Sequence, residues 1–392
     1  MNKSFATSIV EEFQKESLLR NGIDPEKIKQ VYANHKDFSK MKSLYEDSFS
    51  KTSDDPTRTF RYFQEQGQKY LYNDISDYQD PHEYIILRQV EEGIRLSIKE
   101  FGYPLIDTPK IGTLFTPNVN ATVYSMTNVP DKIILVRTGI LEYFTDFIKT
   151  ILTLIDWEVE DNQISATPNQ ETAIKKVYQN GDLLYSIFYS MGKVIMNELD
   201  INNNLENKHY KNYMYYHLSS IRASIWRFIM GHEYAHILNG DFNDNPLMFD
   251  GTIKNIKNST LPLNHLREFN ADARGFELMN KFMIEHGRSQ FTFSIISICM
   301  FFAGIDLIYR MVGDVLETDY YKNASLTHPT PFERYTALVN NIYRNSPDKE
   351  HTMEALEVAS KFGQIVEVIY HFRGGFTEEL RKHKNYIKSA WM

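Results

Sequence analysis

The sequence predicts an α+β fold that is predominantly α-helical. Apolar residues recur at helical spacing through most of the chain, as they do between His82 and Phe101. Strand-like segments, rich in β-branched residues and bounded by Pro, Asn and Gly, are confined to the middle of the chain, between Ile111 and Arg137. A small sheet within a largely helical chain accounts for both observations.

Residues 1–104 are expected to form a helical N-terminal region. Asp24 before Pro25 combines a capping carboxylate with a proline at the first helical position. A polar break at residues 53–56 precedes a second helix start, and the Gly-Tyr-Pro sequence at residues 102–104 ends the last helix of this region.

Residues 105–345 are expected to form a second domain. The run from Ile133 to Val136 predicts a strand, and the apolar residues from Ile140 to Leu154 predict a helix after it. The polar residues 161–170 indicate a loop, and helical spacing returns from Ala173 to Leu199.

From Tyr210 onward the pattern is mostly helical, and residues 346–392 are expected to form a C-terminal helical extension. The predicted helices of this part are Tyr213–Leu238, Leu266–His286, Phe291–Leu316, Pro331–Arg344 and Glu354–Phe372.

The composition is that of a globular protein. The 392 residues are 42% hydrophobic and include 25 Tyr and 25 Phe, whereas disordered chains are poor in aromatic residues. The net charge of −8 argues against a general nucleic-acid partner. Because Cys299 is the single cysteine, an intrachain disulfide and a thiolate zinc site are excluded.

Two observations predict the location of the protein. The first residues, MNKSFATSIVEEFQ, lack the apolar stretch of a signal peptide. The longest apolar segment, Phe291 to Val312, contains Asp306 and Arg310, and its uncharged part is short for a membrane span. We therefore expect a buried helix there rather than a membrane span, and a cytoplasmic location.

The segment with the clearest chemical signal is His232-Glu233-x-x-His236. On a helix, residues i and i+4 project from the same face, so that two imidazoles can hold one tetrahedral metal ion. Glu233 then lies beside the metal, where it can take a proton from water and pass it to a leaving amine. Two unpaired histidines and a glutamate would be costly to bury, so the pattern favours a zinc site over a chance motif in a helical scaffold.

A third ligand is expected from the predicted helix Leu266–His286. Glu268 can complete a set of two His and one Glu that leaves one zinc position open for water. Asp272, one turn later on the same face, can accept a hydrogen bond from a ligand imidazole and hold its tautomer. A solvated acidic face is the alternative for this pair, and His265 and Asp241 are the competing third ligands.

Three motifs of this chain resemble, in the same order, those of the HtpX-like and CAAX-prenyl-protease-like gluzincin metallopeptidases. The motifs of that family are HExxH, an ExxAD-like segment and HPxxxxR. They stand here at His232-Glu233-x-x-His236, at Glu268-x-x-Ala271-Asp272, and at His328-Pro329 with Arg334. Asn120-Ala121 and the segment from Ile133 to Glu142 are similar to the strand and helix start of that family. The resemblance covers roughly residues 115–345.

The resemblance implies a zinc-dependent endopeptidase with a zincin-like core, a small β-sheet and an HExxH active-site helix. One Zn²⁺ per chain would be bound by His232, His236 and Glu268. A zinc-activated water would hydrolyse the peptide bond, with Glu233 as general base and acid, and Asp272 would orient a ligand histidine.

Two further roles follow from the resemblance. His328 would lie near the cleft and support the oxyanion, although a lone histidine in such a loop is usually structural, and Arg334 would hold the local structure. The strand near Ile133–Arg137 would provide a sheet edge along which a protein or peptide substrate pairs.

The chain departs from the family pattern in one long stretch. Elements near Ile140 and His232 lie close together in the family but far apart here, so residues 144–215 are expected to be a helical insertion, a candidate lid or specificity element. The transmembrane helices of the membrane-bound members are not evident in the sequence.

Two other functions are compatible with the same motif. The chain could be a catalytically silent zinc-binding interaction protein, although the intact Glu233 argues against that. It is also weakly similar to the Lit phage-exclusion proteases, which would make it a defence protease that cleaves a specific host protein.

Overall fold

The computed structural model describes residues 4–36, 56–71, 75–104, 108–116, 121–125, 132–160, 163–197, 212–241, 263–284, 288–318 and 328–391. Across these residues the chain is predominantly helical and carries two small sheets, which confirms the predicted fold class in its broad form.

Helices account for most of the described residues. Their bounds are α1 Phe5–Arg20, α2 Pro25–His35, α3 Pro56–Tyr70, α4 Pro81–Glu100, α5 Thr138–Leu154, α6 Gln170–Gln179, α7 Tyr185–Met196, α8 Asn212–Asn239, α9 Leu263–Ile284, α10 Arg288–Leu316, α11 Pro331–Asn345, α12 Lys349–His371, α13 Gly374–Arg381 and α14 Lys384–Trp391. The strands are β1 Lys110–Leu114, β2 Ala121–Ser125, β3 Lys132–Arg137, β4 Asp156–Glu160 and β5 Gln163–Thr167.

Side-chain caps determine where two of these helices begin. The Asp24 carboxylate accepts a hydrogen bond from the Glu26 backbone N–H at the start of α2. At α11, Thr330 Oγ1 accepts from the Glu333 N–H, and the Glu333 carboxylate accepts from the Thr330 N–H, which is a capping box. Both starts are those that the sequence predicts.

The larger sheet has the strand order β1-β3-β2. β3 pairs with β1 in parallel, from Lys110 opposite Ile133 to Leu114 opposite Arg137, and with β2 in antiparallel orientation. The expectation that Ile133–Arg137 is a free sheet edge for a substrate is therefore wrong, because β3 is the middle strand. Among the strands of the described residues, the outer strands of this sheet are β1 and β2.

The stretch 144–215, expected to be a helical insertion, also contains the antiparallel hairpin β4–β5. The polar segment 161–170, expected to be a loop, provides strand β5. Its sequence Gln163-Ile-Ser-Ala-Thr167 alternates polar and apolar residues, and this period of two is typical of a strand even when overall polarity is high.

The chain forms two compact units whose segments are interleaved along the sequence. The first unit comprises Met1–Gly93, Leu105–Leu141 and Glu198–His217. The second comprises Ile94–Pro104, Glu142–Asn197 and Leu218–Met392. The division of the chain at residues 104 and 345 stays a prediction.

In the first unit, α1 packs on the larger sheet. Ile9 and Val10 of α1 form one buried cluster with Ile133 and Leu135 of β3. A buried amide joins the same elements, since Gln14 Nε2 lies 2.8 Å from the backbone oxygen of Thr113 in β1 and 3.0 Å from Gln79 Oε1. The buried amide of Gln14 is thus hydrogen-bonded, as buried polar groups usually are.

The second unit is built around α10, which packs against α9, α11, α12 and α13. Among the helices of the described residues, one, Gln290–Leu316, is long and apolar enough to cross a membrane by length and composition alone. Of its most apolar stretch, 67% is buried inside the protein.

A close approach between α5 and α10 requires a glycine. The Tyr143 hydroxyl donates to the backbone oxygen of Gly304 at 2.8 Å. A Cβ at Gly304 would lie 2.8 Å from the Phe144 ring and 3.2 Å from the Phe147 ring. Both rings are buried, and Phe144 also stacks on Phe301 at a centroid distance of 5.3 Å, so neither ring has room to move.

We expect Gly304→Ala to lower the free energy of unfolding. Overpacking costs about 2 kcal/mol as a central value, which exceeds the gain of about 1 kcal/mol from replacing glycine inside a helix. Gly363→Ala in α12 is the matched control, because its Cβ would meet only Cys299 Sγ at 3.8 Å. Urea unfolding should show a lower free energy of unfolding for Gly304→Ala and a higher one for Gly363→Ala than for the wild type. An equal increase in both variants would contradict this packing.

Candidate metal centre

Two helices of the second unit bring three ligand groups together. His232 and His236 lie one turn apart on α8, and Glu268 lies on α9. Their ligand atoms all lie within 4.8 Å of one another, and the three residues form a group that could hold a metal ion. The three residues predicted from the sequence as ligands are therefore neighbours in the structure.

The spacing of the three groups suits one small metal ion. His232 Nε2 lies 3.0 Å from His236 Nε2 and 3.5 Å from Glu268 Oε2. His236 Nε2 lies 3.8 Å from Glu268 Oε1. Ligand atoms bound tetrahedrally at the usual zinc distances are separated by roughly 3.4 Å, so these side chains need little movement to share an ion.

An aspartate contacts the Nδ1 atom of each histidine. His232 Nδ1 is 2.9 Å from Asp272 Oδ1, and His236 Nδ1 is 2.6 Å from Asp241 Oδ2. If both Nδ1 atoms donate their protons to these carboxylates, the two Nε2 lone pairs face each other at 3.0 Å. A cation between them relieves that contact, which is how carboxylate–histidine pairs support metal sites.

The C-terminal turn of α8 brings the Asp241 carboxylate into contact with the His236 imidazole. Gly240 has a φ of 68°, which is the left-handed conformation that glycine adopts without strain. The Gly240 N–H donates to the Ile237 oxygen, and the Asp241 N–H donates to the His236 oxygen, each at 3.1 Å. This is a Schellman motif, and it turns the chain back so that the Asp241 carboxylate reaches the imidazole one turn earlier.

Arg334 of α11 joins the two carboxylates of α9. Its Nε and Nη2 donate to the two Asp272 oxygens at 2.8 and 2.6 Å, and its Nη1 lies 3.2 Å from Glu268 Oε2. The guanidinium also lies over the Phe302 ring, 5.4 Å from the centroid. A bidentate pair of this kind fixes both the position and the orientation of Asp272.

These charges set the ionisation of the two acidic residues. Burial raises the pKa of Glu268, but Arg334 and His232 outweigh burial and leave the pKa lowered. Burial also acts to raise the pKa of Asp272, which is 1% exposed, and the ion pair with Arg334 brings it down to about 2. Both groups are therefore carboxylates at neutral pH.

Glu233 differs from these acids in having no ion pair of its own among the described residues. It is 6% exposed, and burial raises its pKa, while His232 and His236 offset only part of that effect. A buried carboxylate with a raised pKa beside a metal-ligand cluster is suited to accept and return a proton.

α8 and α9 cross at two glycines next to the ligands. A Cβ at Gly231 would lie 2.7 Å from the Gly275 oxygen, and a Cβ at Gly275 would lie 2.7 Å from the His232 nitrogen. The two backbones therefore touch directly beside His232. Glycines at these positions let α9 come close enough for Glu268 to reach the imidazoles.

Three further residues that the sequence offered as site residues do not belong to the ligand group. His328 is exposed, and within the described residues no hydrogen bond or ion pair joins it to the cluster, so its role at the oxyanion stays a prediction. His265 is buried but lies outside the three-residue group. Asp241 contacts the Nδ1 side of His236, which is the position of a supporting carboxylate rather than a third ligand.

Sequence reasoning missed the glycine crossing and Phe302. A signal for the crossing exists, because Gly231 immediately precedes the motif and Gly275 follows Glu268 by two turns on the same face. No local signal indicates Phe302, whose contact with Arg334 depends on tertiary packing.

A scan against protein-family models finds no match to this chain, and neither do searches of the curated proteins and of the solved structures.

We expect Asp272→Asn and Asp241→Asn each to weaken metal binding by about 10–100-fold, since each removes the charge that holds a ligand imidazole. Asp314→Asn is the matched control, because Asp314 accepts from Tyr370 and Arg373 away from the cluster. Competition with a chromophoric chelator for Zn²⁺ and Co²⁺ measures the change. Unaltered affinity in both site variants would show that these aspartates do not support the ligands.

Proposed function

We propose that this protein is a zinc-dependent endopeptidase. The observation that carries the proposal is the grouping of His232, His236 and Glu268 beside the buried Glu233. Two imidazoles and one carboxylate are the ligand set of catalytic zinc sites, in which a fourth position remains open for water or substrate.

The donor atoms support zinc as the metal. Imidazole nitrogens suit Zn²⁺ better than Mg²⁺ or Ca²⁺, which prefer oxygen ligands. Zinc bound here would supply a Lewis acid that polarises the attacking water and the peptide carbonyl. The residues of the chain account for the remaining steps.

Glu233 is the proposed general base and acid. It takes a proton from the attacking water as the new carbon–oxygen bond forms, and it gives that proton to the amine as the carbon–nitrogen bond breaks. Asp272 and Asp241 hold the two imidazoles, and Arg334 holds Asp272 and Glu268. The substrate of the proposed reaction is a protein or peptide.

The order of the motifs supports a zincin-like core similar to that of the HtpX-like gluzincins. In this structure Arg334, six residues after His328, reaches the ExxAD-like segment through Asp272 and Glu268. The three motifs are thus linked through ligand and supporting residues, as a shared catalytic centre requires.

We expect near-stoichiometric zinc in the wild-type protein and its loss in Glu268→Ala. Glu233→Gln should keep the zinc but lower the rate of peptide cleavage by about 10²–10⁴-fold, which is the range for loss of a general base. Glu277→Gln is the control, because Glu277 is a half-buried acid on α9 that accepts from the Tyr103 hydroxyl at 2.9 Å.

Elemental analysis after dialysis and a peptide-library digest are the two measurements. Wild-type protein without zinc would refute the metal centre. Zinc without cleavage of any library member would leave a metal-binding interaction protein, and undiminished cleavage by Glu233→Gln would refute the role of Glu233.

A further inference from the structure

The aromatic ring of Phe302 on α10 lies beside the candidate metal centre and is fixed by its neighbours. Phe302 is 2% exposed. Its ring meets those of Phe301 and Phe228 edge to face, at centroid distances of 5.2 and 5.7 Å, and the Tyr335 ring lies at 6.2 Å. The guanidinium carbon of Arg334 lies over the same ring, 5.4 Å from its centroid, which is within the range of a cation–π interaction.

One oxygen of Glu268 lies close both to this guanidinium and to a predicted metal ligand. Glu268 Oε2 is 3.2 Å from Arg334 Nη1 and 3.5 Å from His232 Nε2. A metal ion bound by His232 and Glu268 would therefore share the charge of this carboxylate with Arg334. Since a guanidinium does not lose its proton in proteins, Arg334 keeps its full positive charge when the metal ion binds.

The other carboxylate partner of Arg334 is Asp272. It accepts hydrogen bonds from Nε and Nη2 at 2.8 and 2.6 Å, and it also contacts His232 Nδ1 at 2.9 Å. A further carboxylate beside Arg334 would balance the guanidinium but would also compete with Glu268 for the metal ion. The face of an aromatic ring is electron-rich, so it attracts a cation without offering a ligand atom to a metal.

We propose that Phe302 is a positioning residue of the candidate metal centre, whose ring face holds the Arg334 guanidinium while Glu268 binds the metal ion. Phe302 acts through Arg334 on Glu268 and Asp272. The proposal rests on the zinc binding of the proposed function and does not depend on peptide cleavage. Weakening the attraction of the ring makes Arg334 more dependent on Glu268, and this lowers the affinity for zinc.

The test changes the electron density of the Phe302 ring with little change in its shape. Suppression of an amber codon at position 302 introduces phenylalanine whose ring carries one, two or three fluorine atoms, each of which weakens the attraction for a cation. The affinity for Zn²⁺ is measured by competition with a chromophoric chelator. We expect it to fall with each added fluorine atom, by roughly tenfold over the whole series.

Phe301 is the matched control on the same helix. It is a buried ring that packs on Phe144 and Phe228, and among the described residues no cation lies over it. The same fluorine series at position 301 should leave the zinc affinity unchanged. The melting temperature of the metal-free protein measures packing separately, and it should respond alike to fluorine at both positions.

Two results would overturn the role of Phe302 alone: a zinc affinity that stays constant through the Phe302 series, or an equal fall in the Phe301 series. Wild-type protein that binds no zinc would refute the metal centre of the proposed function and the role of Phe302 with it. If the variant with three fluorine atoms does not fold, the variants with one and two still define the trend.

Discussion

The candidate metal centre depends on the direct backbone contact between Gly231 and Gly275. A side chain at either position would meet the opposite helix at 2.7 Å, and separating α8 from α9 would take Glu268 away from the two imidazoles. The ligands of α8 are arranged by one helical turn alone, whereas the third ligand requires this crossing. The ion pair of Asp272 with Arg334 can position the His232 imidazole only when α9 lies this close to α8.

How far the site can be predicted from sequence depends on how local each contact is. His232 and His236 share a face through helical geometry, and Glu268 with Asp272 repeats that spacing, so all four could be recognised from the sequence. Asp241 could be recognised only as a candidate ligand, because its real position follows from the left-handed Gly240 and the turn that it allows. The Phe302 contact with Arg334 is tertiary and has no local signal.

The same distinction between local and tertiary contacts explains which parts of the fold the sequence predicts. The amphipathic helix α12 buries one face over many turns, so its periodicity predicts it well. Helix α10 is buried on all sides between residues 294 and 302, and its length and apolar composition predict it instead. The pairing partners of β3 are set by distant segments, β1 and β2, although its run of four buried residues is itself typical of a strand covered on both faces. The hairpin β4–β5 is mostly polar, and its pairing rests on backbone hydrogen bonds that composition does not reveal.

Charge decides which kind of ligand the candidate metal centre can accept. Glu268 and Asp272 share the single guanidinium of Arg334, so this group of three side chains keeps one negative charge. Since buried charges are stable only when compensated, a cation bound by His232, His236 and Glu268 would offset that charge, whereas an anion would add to it.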